Sequence, residues 1–408
     1  MSHNSGALEA LFTAGQRIWV AGSSNEPQAL LELLGELPLP ADLTFIQFPL
    51  PGMNGTDFSG LSPTTRMETF FMSPALKGAA ADRLSYVPMQ MRAVYDYLAH
   101  DLDGVLLQAA RNADGELCLG PNVDFAAAAL EATRFLAVEV NEAITAPAGA
   151  PRLSRKPDFS ITSSRPLPEL PAPAIDDAAA AIGRLVAQLV KDGDCIQTGI
   201  GSIPAAILRE LTAHNDLGLH GGLIDDGGMA LVRAGNVTGA RKAIDRGLHI
   251  TGMALGSAEL YDWLAGEPAV RFRGADHTHE VSVIRELENF VSVNSAVEVD
   301  LFGQVNAEFA GGRQLSGTGG SVDFMRSARS SRGGRSIIAK NATARGGTVS
   351  RIVPRVEMVT ALRTDVDRVV TEYGVAELDG VGVAERARRL IAIAAPEFRD
   401  ALLEAAPN

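Results

Sequence analysis

Short apolar runs alternate with amphipathic segments through the N-terminal part of the chain. Continuous apolar runs predict buried strands, and apolar positions at helical spacing predict helices. The predicted strands cover residues 17–21, 43–48, 104–108 and 135–140, and the predicted helices cover residues 23–37 and 125–133. Strands that alternate with helices are typical of a parallel sheet with helices on both faces, so we predict an α/β fold.

A proline-rich segment, 146–173, has little periodic pattern and interrupts this alternation. We interpret it as a connector between two domains, which then span residues 1–172 and 173–408. The alternation resumes after the connector. Predicted helices cover 175–191 and 383–394, and predicted strands cover 195–197, 249–251, 290–293, 336–338 and 369–371.

Composition and charge narrow the class of protein. The 408 residues are 46% hydrophobic and 21% charged, which indicates a globular chain with a large core and excludes a disordered chain or a coiled coil. A formal net charge of −13 argues against a broad nucleic-acid surface. Two unpaired cysteines, Cys118 and Cys195, exclude a disulfide framework. With no signal-peptide pattern and no long apolar run, we expect a cytoplasmic protein without a membrane partner.

Four glycine-rich or polar segments, all in the second half, carry the candidate chemistry. They are 198–204 (TGIGSIP), 219–228 (LHGGLIDDGG), 292–306 (SVNSAVEVDLFGQVN) and 315–328 (LSGTGGSVDFMRSA). The first joins a strand to a helix, where glycines let a ligand approach backbone N–H groups. The third, as one strand, places Asn294, Ala296 and Glu298 on one face. The fourth can hold an oxyanion or a pyrophosphate on successive N–H groups.

In order and spacing, these segments resemble the acetyl-CoA hydrolase/4-hydroxybutyrate CoA-transferase family, part of the class I CoA-transferases. The resemblance is strongest over 192–399, and further matching stretches are SRIVP (350–354), VVTEYGVAELDG (369–380) and ERARRLIAIAAPEFRD (385–400). It implies two similar α/β domains with mostly parallel sheets and an active site between them, in a homodimer. It also implies coenzyme A as a substrate, a small carboxylate as partner, and no permanently bound cofactor.

The resemblance also implies a mechanism and a set of binding residues. In the family a glutamate attacks the acyl-CoA thioester, and the enzyme then carries CoA as a thioester of that glutamate. An acceptor acid reverses these steps and leaves with the CoA. Binding residues carried over by position are Gly199, Gly201, Gly222, Asn294, Gly317, Gly319 and Gly320. Arg326 and Lys340 are further candidates for contact with CoA phosphates.

One position departs from the family pattern. The stretch 217–227 (LGLHGGLIDDG) aligns with the segment that carries the nucleophilic glutamate, and Gly222 stands in its place. Three hypotheses remain open. In the first, another acid attacks in a CoA-transferase; the candidates are Glu26, Asp57, Asp225, Asp226 and Glu298.

The second hypothesis is an acyl-CoA hydrolase in which His220 or a nearby aspartate activates water and the glycine loop holds the oxyanion. The third is a catalytically inactive homologue that binds acyl-CoA. We predict no metal site, because only His277 and His279 are closely spaced histidines and no third ligand accompanies them.

Overall fold

The computed structural model describes residues 2–407 and divides into two compact units. The first unit holds the chain up to Leu170 together with Thr251–Asp276, and the second holds Pro171–Ile250 together with the chain from His277 onward. The predicted domains, 1–172 and 173–408, place 251–276 in the C-terminal domain, whereas the contacts of this segment group it with the first unit.

The first unit is built on an eight-stranded sheet. Seven strands run parallel, in the spatial order Leu84–Tyr86, Arg66–Thr69, Thr44–Gln47, Arg17–Val20, Gly104–Arg111, Phe135–Thr145 and Phe159–Ser163. Leu117–Leu119 pairs antiparallel with Gly104–Arg111. The central strands are buried almost throughout, as expected for a parallel sheet covered on both faces.

Helices of the first unit are short. They are the α-helices Ser2–Glu9, Gln28–Gly35, Met91–Leu98, Ala126–Ala132 and Ala258–Ala265, with 3₁₀ turns at Ser23–Asn25, Phe58–Gly60 and Pro74–Gly78. Leu30 and Leu34 on one helix pack with Ile18, Phe45 and other sheet residues into the core. The sheet therefore derives its stability from apolar burial against these helices.

Two sequence predictions in this unit are wrong. The predicted connector contains a strand, Phe159–Ser163, which extends the sheet by pairing with Phe135–Thr145. The predicted helix over 23–37 is interrupted, because Glu26 precedes a proline and adopts an extended conformation with ψ of 128°. Glu26 is therefore not a first-turn helix acid.

The second unit contains a six-stranded sheet. Its spatial order is Gly218–Leu219, Cys195–Gln197, Phe290–Asn294, Arg335–Ala339, Arg368–Thr371 and Gly374–Glu377. All neighbours are parallel except the last pair, which is antiparallel. Two apolar clusters pack against it, one around Ile182, Val186 and Ile207 and the other around Val299, Leu390 and Ile391.

Helices of this unit are Asp177–Ala187, Ser202–Glu210, Asp226–Arg233, Val281–Ile284, Ser321–Ser330, Val383–Ala392 and Arg399–Glu404, with 3₁₀ turns at Leu211–Ala213 and Pro396–Phe398. Short strands of the unit are Leu223–Ile224, Glu298–Asp300, Val305–Asn306, Phe309–Ala310, Arg313–Gln314, Thr343–Ala344, Val349–Ser350 and Ile352–Val353. The remaining elements of the chain are the strands His249–Thr251, Met253–Ala254 and Val270–Phe272 and the helix Ala275–Thr278.

The prediction of one strand through 292–306 is wrong. Phe290–Asn294 belongs to the six-stranded sheet, whereas Glu298–Asp300 belongs to a separate three-stranded sheet with Val305–Asn306 and Ile352–Val353. The chain leaves the first sheet after Asn294 and enters the second at Glu298. The two residues therefore do not share the face of a single strand.

The two cysteines, Cys118 and Cys195, are free and buried. Within residues 2–407, none of the helices is long and apolar enough to span a bilayer.

Candidate functional site

The carboxyl ends of two neighbouring parallel strands in the second unit bring polar side chains together. Gln197 ends the strand Cys195–Gln197, and Asn294 ends the strand Phe290–Asn294. Asn294 Nδ2 donates to Ser292 Oγ at 2.8 Å and to Gln197 Oε1 at 3.3 Å. This edge of a parallel sheet is where α/β proteins bind ligands, since loops and helix N-termini follow the strand ends there.

The glycine turn after Gln197 leads into the helix Ser202–Glu210. Gly201 has a φ of 113°, a conformation that residues with a side chain rarely adopt. A Cβ at Gly199 or Gly201 would meet no atom within 4 Å, so the space over this turn is open. A ligand can therefore approach the backbone N–H groups at this helix N-terminus.

Gly221 and Gly222 follow the edge strand Gly218–Leu219. A Cβ at Gly221 would lie 3.1 Å from Gln197 Cγ, which places this segment against the strand end described above. A Cβ at Gly222 would lie 3.1 Å from both Cε1 and Nε2 of His279, and 3.8 Å from Phe324 Cζ. The side-chain atoms nearest to position 222 are thus an imidazole and a phenyl ring.

Gly320 approaches the same imidazole. A Cβ at Gly320 would come within 2.3 Å of His279 Nε2, far inside van der Waals contact. The helix Ser321–Ser330 begins directly after Gly320, and its Phe324 ring lies 4.5 Å from the His279 ring, centroid to centroid. The preceding loop bends at Gly319, where φ is 54°. Of the predicted binding glycines, Gly222 and Gly320 are therefore brought together at His279.

His279 is 1% exposed, and its Nδ1 lies 2.8 Å from the Thr278 hydroxyl oxygen. Burial lowers its pKa to about 3, because the charged imidazolium loses its hydration in this environment. The imidazole is neutral at physiological pH. Sequence reasoning missed this residue as a site candidate, because it lies outside the four glycine-rich segments and its contacts with positions 222 and 320 are long-range in the chain.

His220, a predicted general base, lies deep in the second unit. It is fully buried, and its Nδ1 has no hydrogen-bond partner among residues 2–407. Its Nε2 lies 3.4 Å from the carbonyl oxygen of His277, whose Nε2 in turn lies 2.8 Å from Asp245 Oδ2. Burial, followed by the charge of Lys242, lowers the pKa of His220 well below its usual value.

His220, Asp245 and His277 offer ligand atoms that all lie within 4.8 Å of one another. Two imidazoles and one carboxylate form a donor set that could hold a transition-metal ion, a grouping that the sequence analysis did not foresee. The closely spaced histidines of the sequence separate in the fold: His277 pairs with Asp245, whereas His279 packs on Phe324.

The predicted substitute nucleophiles already have structural partners. Asp225 caps the helix Asp226–Arg233 by accepting from Gly228 N at 2.9 Å, and Asp226 is the first residue of that helix. Asp57 caps a 3₁₀ turn through Ser59 N at 3.0 Å. In the first unit, the buried Glu26 accepts from Gln47 Nε2 at 2.9 Å, and burial raises its pKa. Glu298 Oε2 accepts from Asn306 Nδ2 at 3.3 Å.

The predicted phosphate contacts have structural roles as well. Lys340 is fully buried and donates from Nζ to the carbonyl oxygens of Val297 at 3.1 Å and Arg351 at 2.7 Å. Arg326 pairs with Asp365, with 3.3 Å between Nε and Oδ2. Lys340 thus stabilises the loops around the six-stranded sheet, and its ammonium group is inaccessible to a phosphate.

The first unit contains a cavity of about 30 Å³, large enough for about one or two water-sized groups. Its lining is mainly apolar and includes Trp19, Phe48, Leu50, Phe125 and Met253. Asp124 also lines it, is 2% exposed, and has a carboxyl oxygen, Oδ1, without a partner in the part of the chain that the structure describes. Burial raises the pKa of Asp124 to about 8, so the neutral acid predominates at pH 7.

Replacing Asp124 by asparagine is expected to flatten the dependence of stability on pH. The folded chain holds a proton up to a pKa of about 8, while an unfolded aspartate releases it near pH ~3.9. The stability that this proton confers is therefore full below pH ~4 and is lost as the pH rises towards 8, at about 1.4 kcal/mol per pH unit.

Urea unfolding at pH 5 and pH 7 measures this effect. The loss of unfolding free energy between the two pH values should shrink by roughly 2–3 kcal/mol in Asp124→Asn. Asp82→Asn, at an exposed position of the same unit, is the matched control and should keep the wild-type pH dependence. An Asp124→Asn protein with the wild-type pH dependence would show that this carboxyl is ionised in the folded state.

Comparison with known proteins identifies the family. A family model described as the acetyl-CoA hydrolase/transferase C-terminal domain matches residues 256–406. The chain is 41% identical over 293 residues to the 4-hydroxybutyrate coenzyme A transferase of Clostridium kluyveri, covering 71% of this chain and 68% of that protein.

Solved structures agree with this family and confirm the predicted α/β fold with mostly parallel sheets. RipA from Yersinia pestis is 31% identical, with a TM-score of 0.90 over 98% of this chain and 95% of that one. The 4-hydroxybutyrate CoA-transferase abfT-2 from Porphyromonas gingivalis is 30% identical, with a TM-score of 0.78 over the same shares. The resemblance predicted from the glycine-rich segments is confirmed: the chain belongs to the acetyl-CoA hydrolase/transferase family.

Proposed function

We propose that this protein hydrolyses the thioester of an acyl-CoA, with water as the acceptor instead of a second carboxylate. The observation that carries the proposal is the set of side chains around Gly222. A side chain at this position would meet His279 and Phe324 first, and no carboxylate of the described chain is among its nearest atoms. In this proposal, the missing side chain at position 222 leaves the thioester to be attacked by water.

The partners of the other acids support the same conclusion. Asp57 and Asp225 accept backbone N–H groups as caps, and an ionised cap stabilises its helix end only while it keeps that bond. Releasing either carboxylate for attack on a thioester would cost the capping energy, typically about 1 kcal/mol, and would also require the turn to move.

Other segments of the second unit bind the substrate and stabilise the charge of the tetrahedral intermediate. In this proposal the glycine turn at 198–201 and Asn294 hold the CoA end of the substrate. Backbone N–H groups of the loop containing Gly317, Gly319 and Gly320, at the start of the helix Ser321–Ser330, stabilise the oxyanion of the tetrahedral intermediate.

A second candidate function, CoA transfer from an acyl-CoA to a small carboxylate, is favoured by the identity with the 4-hydroxybutyrate coenzyme A transferase. It requires a nucleophile other than residue 222. Asp226 is the nearest candidate in sequence that is not itself the helix cap. A homodimer and the absence of a permanent cofactor stay predictions of the family resemblance, and a cytoplasmic location stays a prediction from the sequence pattern.

Product analysis separates these functions. Purified protein is incubated with acetyl-CoA or butyryl-CoA, with and without a second carboxylate, and both free thiol and new CoA thioesters are measured. Hydrolysis predicts free thiol at a rate that the added carboxylate does not change. A new thioester formed from the added acid would establish transfer instead. Acyl-CoA binding without either product would establish an inactive binding homologue.

A further inference from the structure

Three side chains of the second unit converge at one point although they are far apart in the chain. His220 follows the edge strand Gly218–Leu219, Asp245 lies in the loop before the strand His249–Thr251, and His277 lies in a one-turn helix. Each residue offers one ligand atom, and these atoms lie within 4.8 Å of one another. We name these three residues the His–Asp–His cluster.

The separations within the His–Asp–His cluster lie on either side of those around a bound ion. Zn²⁺ holds imidazole nitrogens and carboxylate oxygens at about 2.0–2.2 Å in tetrahedral geometry, so two of its ligand atoms lie about 3.4 Å apart. Asp245 Oδ2 and His277 Nε2 lie 2.8 Å apart, and the ligand atoms of the whole cluster lie within 4.8 Å. Binding therefore needs Asp245 and His277 to separate by about 0.6 Å and His220 to approach them by at most about 1.4 Å. Small side-chain rotations provide such shifts.

The buried His220 has hydrogen-bonding capacity that the chain leaves unused. The residue is 0% exposed, and its Nδ1 has no partner among residues 2–407. Its Nε2 lies 3.4 Å from the His277 carbonyl oxygen, which is longer than the usual hydrogen-bond distance of about 2.7–3.2 Å. Most buried polar side-chain atoms have a partner, and an unpaired one is typical of a site that takes a water or an ion. The imidazole of His220 therefore has a lone pair to offer to a metal.

The other two ligands of the cluster reach solvent. The side chains of His277 and Asp245 are 30% and 18% exposed, so an ion can approach from their side and meet His220 beneath them. Lys242 is a positive charge that acts on Asp245, and its Nζ donates to two backbone carbonyl oxygens at 2.8 and 3.2 Å. Because this charge repels a cation, we expect Zn²⁺ to bind less tightly here than in a closed site with four protein ligands.

We propose that His220, Asp245 and His277 bind a divalent transition-metal ion of the Zn²⁺ type. Two imidazoles and one carboxylate favour such an ion over Mg²⁺ and Ca²⁺, which prefer oxygen ligands. Three protein ligands leave the fourth position of a tetrahedral ion to water. The bound ion joins the loop of Asp245 and the short helix of His277 to the segment that leads from His220 to Gly222. This site does not depend on the hydrolase function proposed above.

Metal titration tests the proposal. Untagged protein is freed of metal with a chelator, dialysed, and titrated with Co²⁺, whose visible absorption reports its coordination, and then with Zn²⁺ in competition. We expect one ion per chain. Loss of a residue that only supports a ligand typically weakens metal affinity about 10–100-fold, so loss of a ligand in His277→Ala should weaken it more than about 100-fold. Asp245→Asn keeps the shape of the side chain but removes its charge, and should weaken binding at least about 10-fold.

Two variants outside the cluster are matched controls. His214 bonds to a backbone carbonyl oxygen and Asp216 pairs with an arginine in the same unit, so His214→Ala and Asp216→Asn should keep the wild-type metal affinity. Saturating Zn²⁺ should also raise the Tm of the wild type and of both controls, but not that of His277→Ala, because an ion stabilises only a fold that binds it. The same unfolding curves check that each variant folds. Wild-type protein that binds neither ion saturably, or cluster variants with wild-type affinity, would overturn the assignment.

Discussion

The Gly222→Glu substitution is expected to support CoA transfer only when the His279 side chain is also replaced by alanine. In Gly222→Glu alone, the new Cβ lies 3.1 Å from the imidazole, which is tighter than ordinary contact, so either the glutamate or the ring must move. A nucleophile displaced by about 1 Å loses on the order of 10²-fold in rate. Gly222→Glu/His279→Ala should therefore form the new thioester at least about 100-fold faster than the single variant.

The measurement is the rate of acyl-CoA formation from an added carboxylate, with single and double variants compared at equal concentrations. Gly222→Gln/His279→Ala is the matched control, because it has nearly the same shape but cannot form an acyl anhydride. Efficient transfer by Gly222→Glu alone would mean that His279 does not occupy the space of a side chain at position 222.

Loss of one buried ion pair is expected to have the largest effect on stability. Arg335 begins a central strand of the second unit, and its Nη2 lies 2.6 Å from Oδ2 of Asp194, with the two side chains 9% and 2% exposed. Asp194 also accepts from Lys191 N at 2.6 Å, and Arg335 donates to the Leu189 carbonyl oxygen. Arg335→Ala leaves an uncompensated buried carboxylate and should lower the unfolding free energy by about 3–5 kcal/mol.

Urea unfolding of Arg335→Ala, Asp194→Asn and the double variant checks this result. The two single effects should not add, because either change already breaks the same pair. Arg388→Ala removes a pair with Glu385 in which the arginine is 70% exposed, and it should cost less than about 1 kcal/mol. A loss for Arg335→Ala as small as that for Arg388→Ala would show that Arg335 and Asp194 are solvated.

Much of the fold follows from the sequence because buried strands of parallel sheets are continuous apolar runs. The strands Cys195–Gln197 and His249–Thr251 have the predicted bounds, and Phe290–Asn294 and Arg368–Thr371 differ from theirs by one residue. The strand Phe159–Ser163 was not predictable in this way, since its exposed and half-buried positions lack an apolar run and prolines flank it.

The candidate site was predictable only in part. Glycine-rich segments after strands indicated where a ligand can reach backbone N–H groups, and the structure has the turn with Gly201 and the loop with Gly319 at helix N-termini. The contact of His279 with Gly222 and Gly320 depends on tertiary packing, and no local pattern encodes it. Likewise, the sequence alone does not distinguish an aspartate that caps a helix, such as Asp225, from one whose carboxylate is free to react.

The covalent state of the protein during turnover tests the proposed hydrolysis most directly. Wild-type protein is incubated with an acyl-CoA, treated with borohydride, and analysed by intact mass and peptide mapping. Hydrolysis by water predicts no CoA thioester and no reduced carboxylate on the chain. A CoA adduct, or a reduced side chain at Glu26, Asp57, Asp225, Asp226 or Glu298, would contradict it and identify a substitute nucleophile.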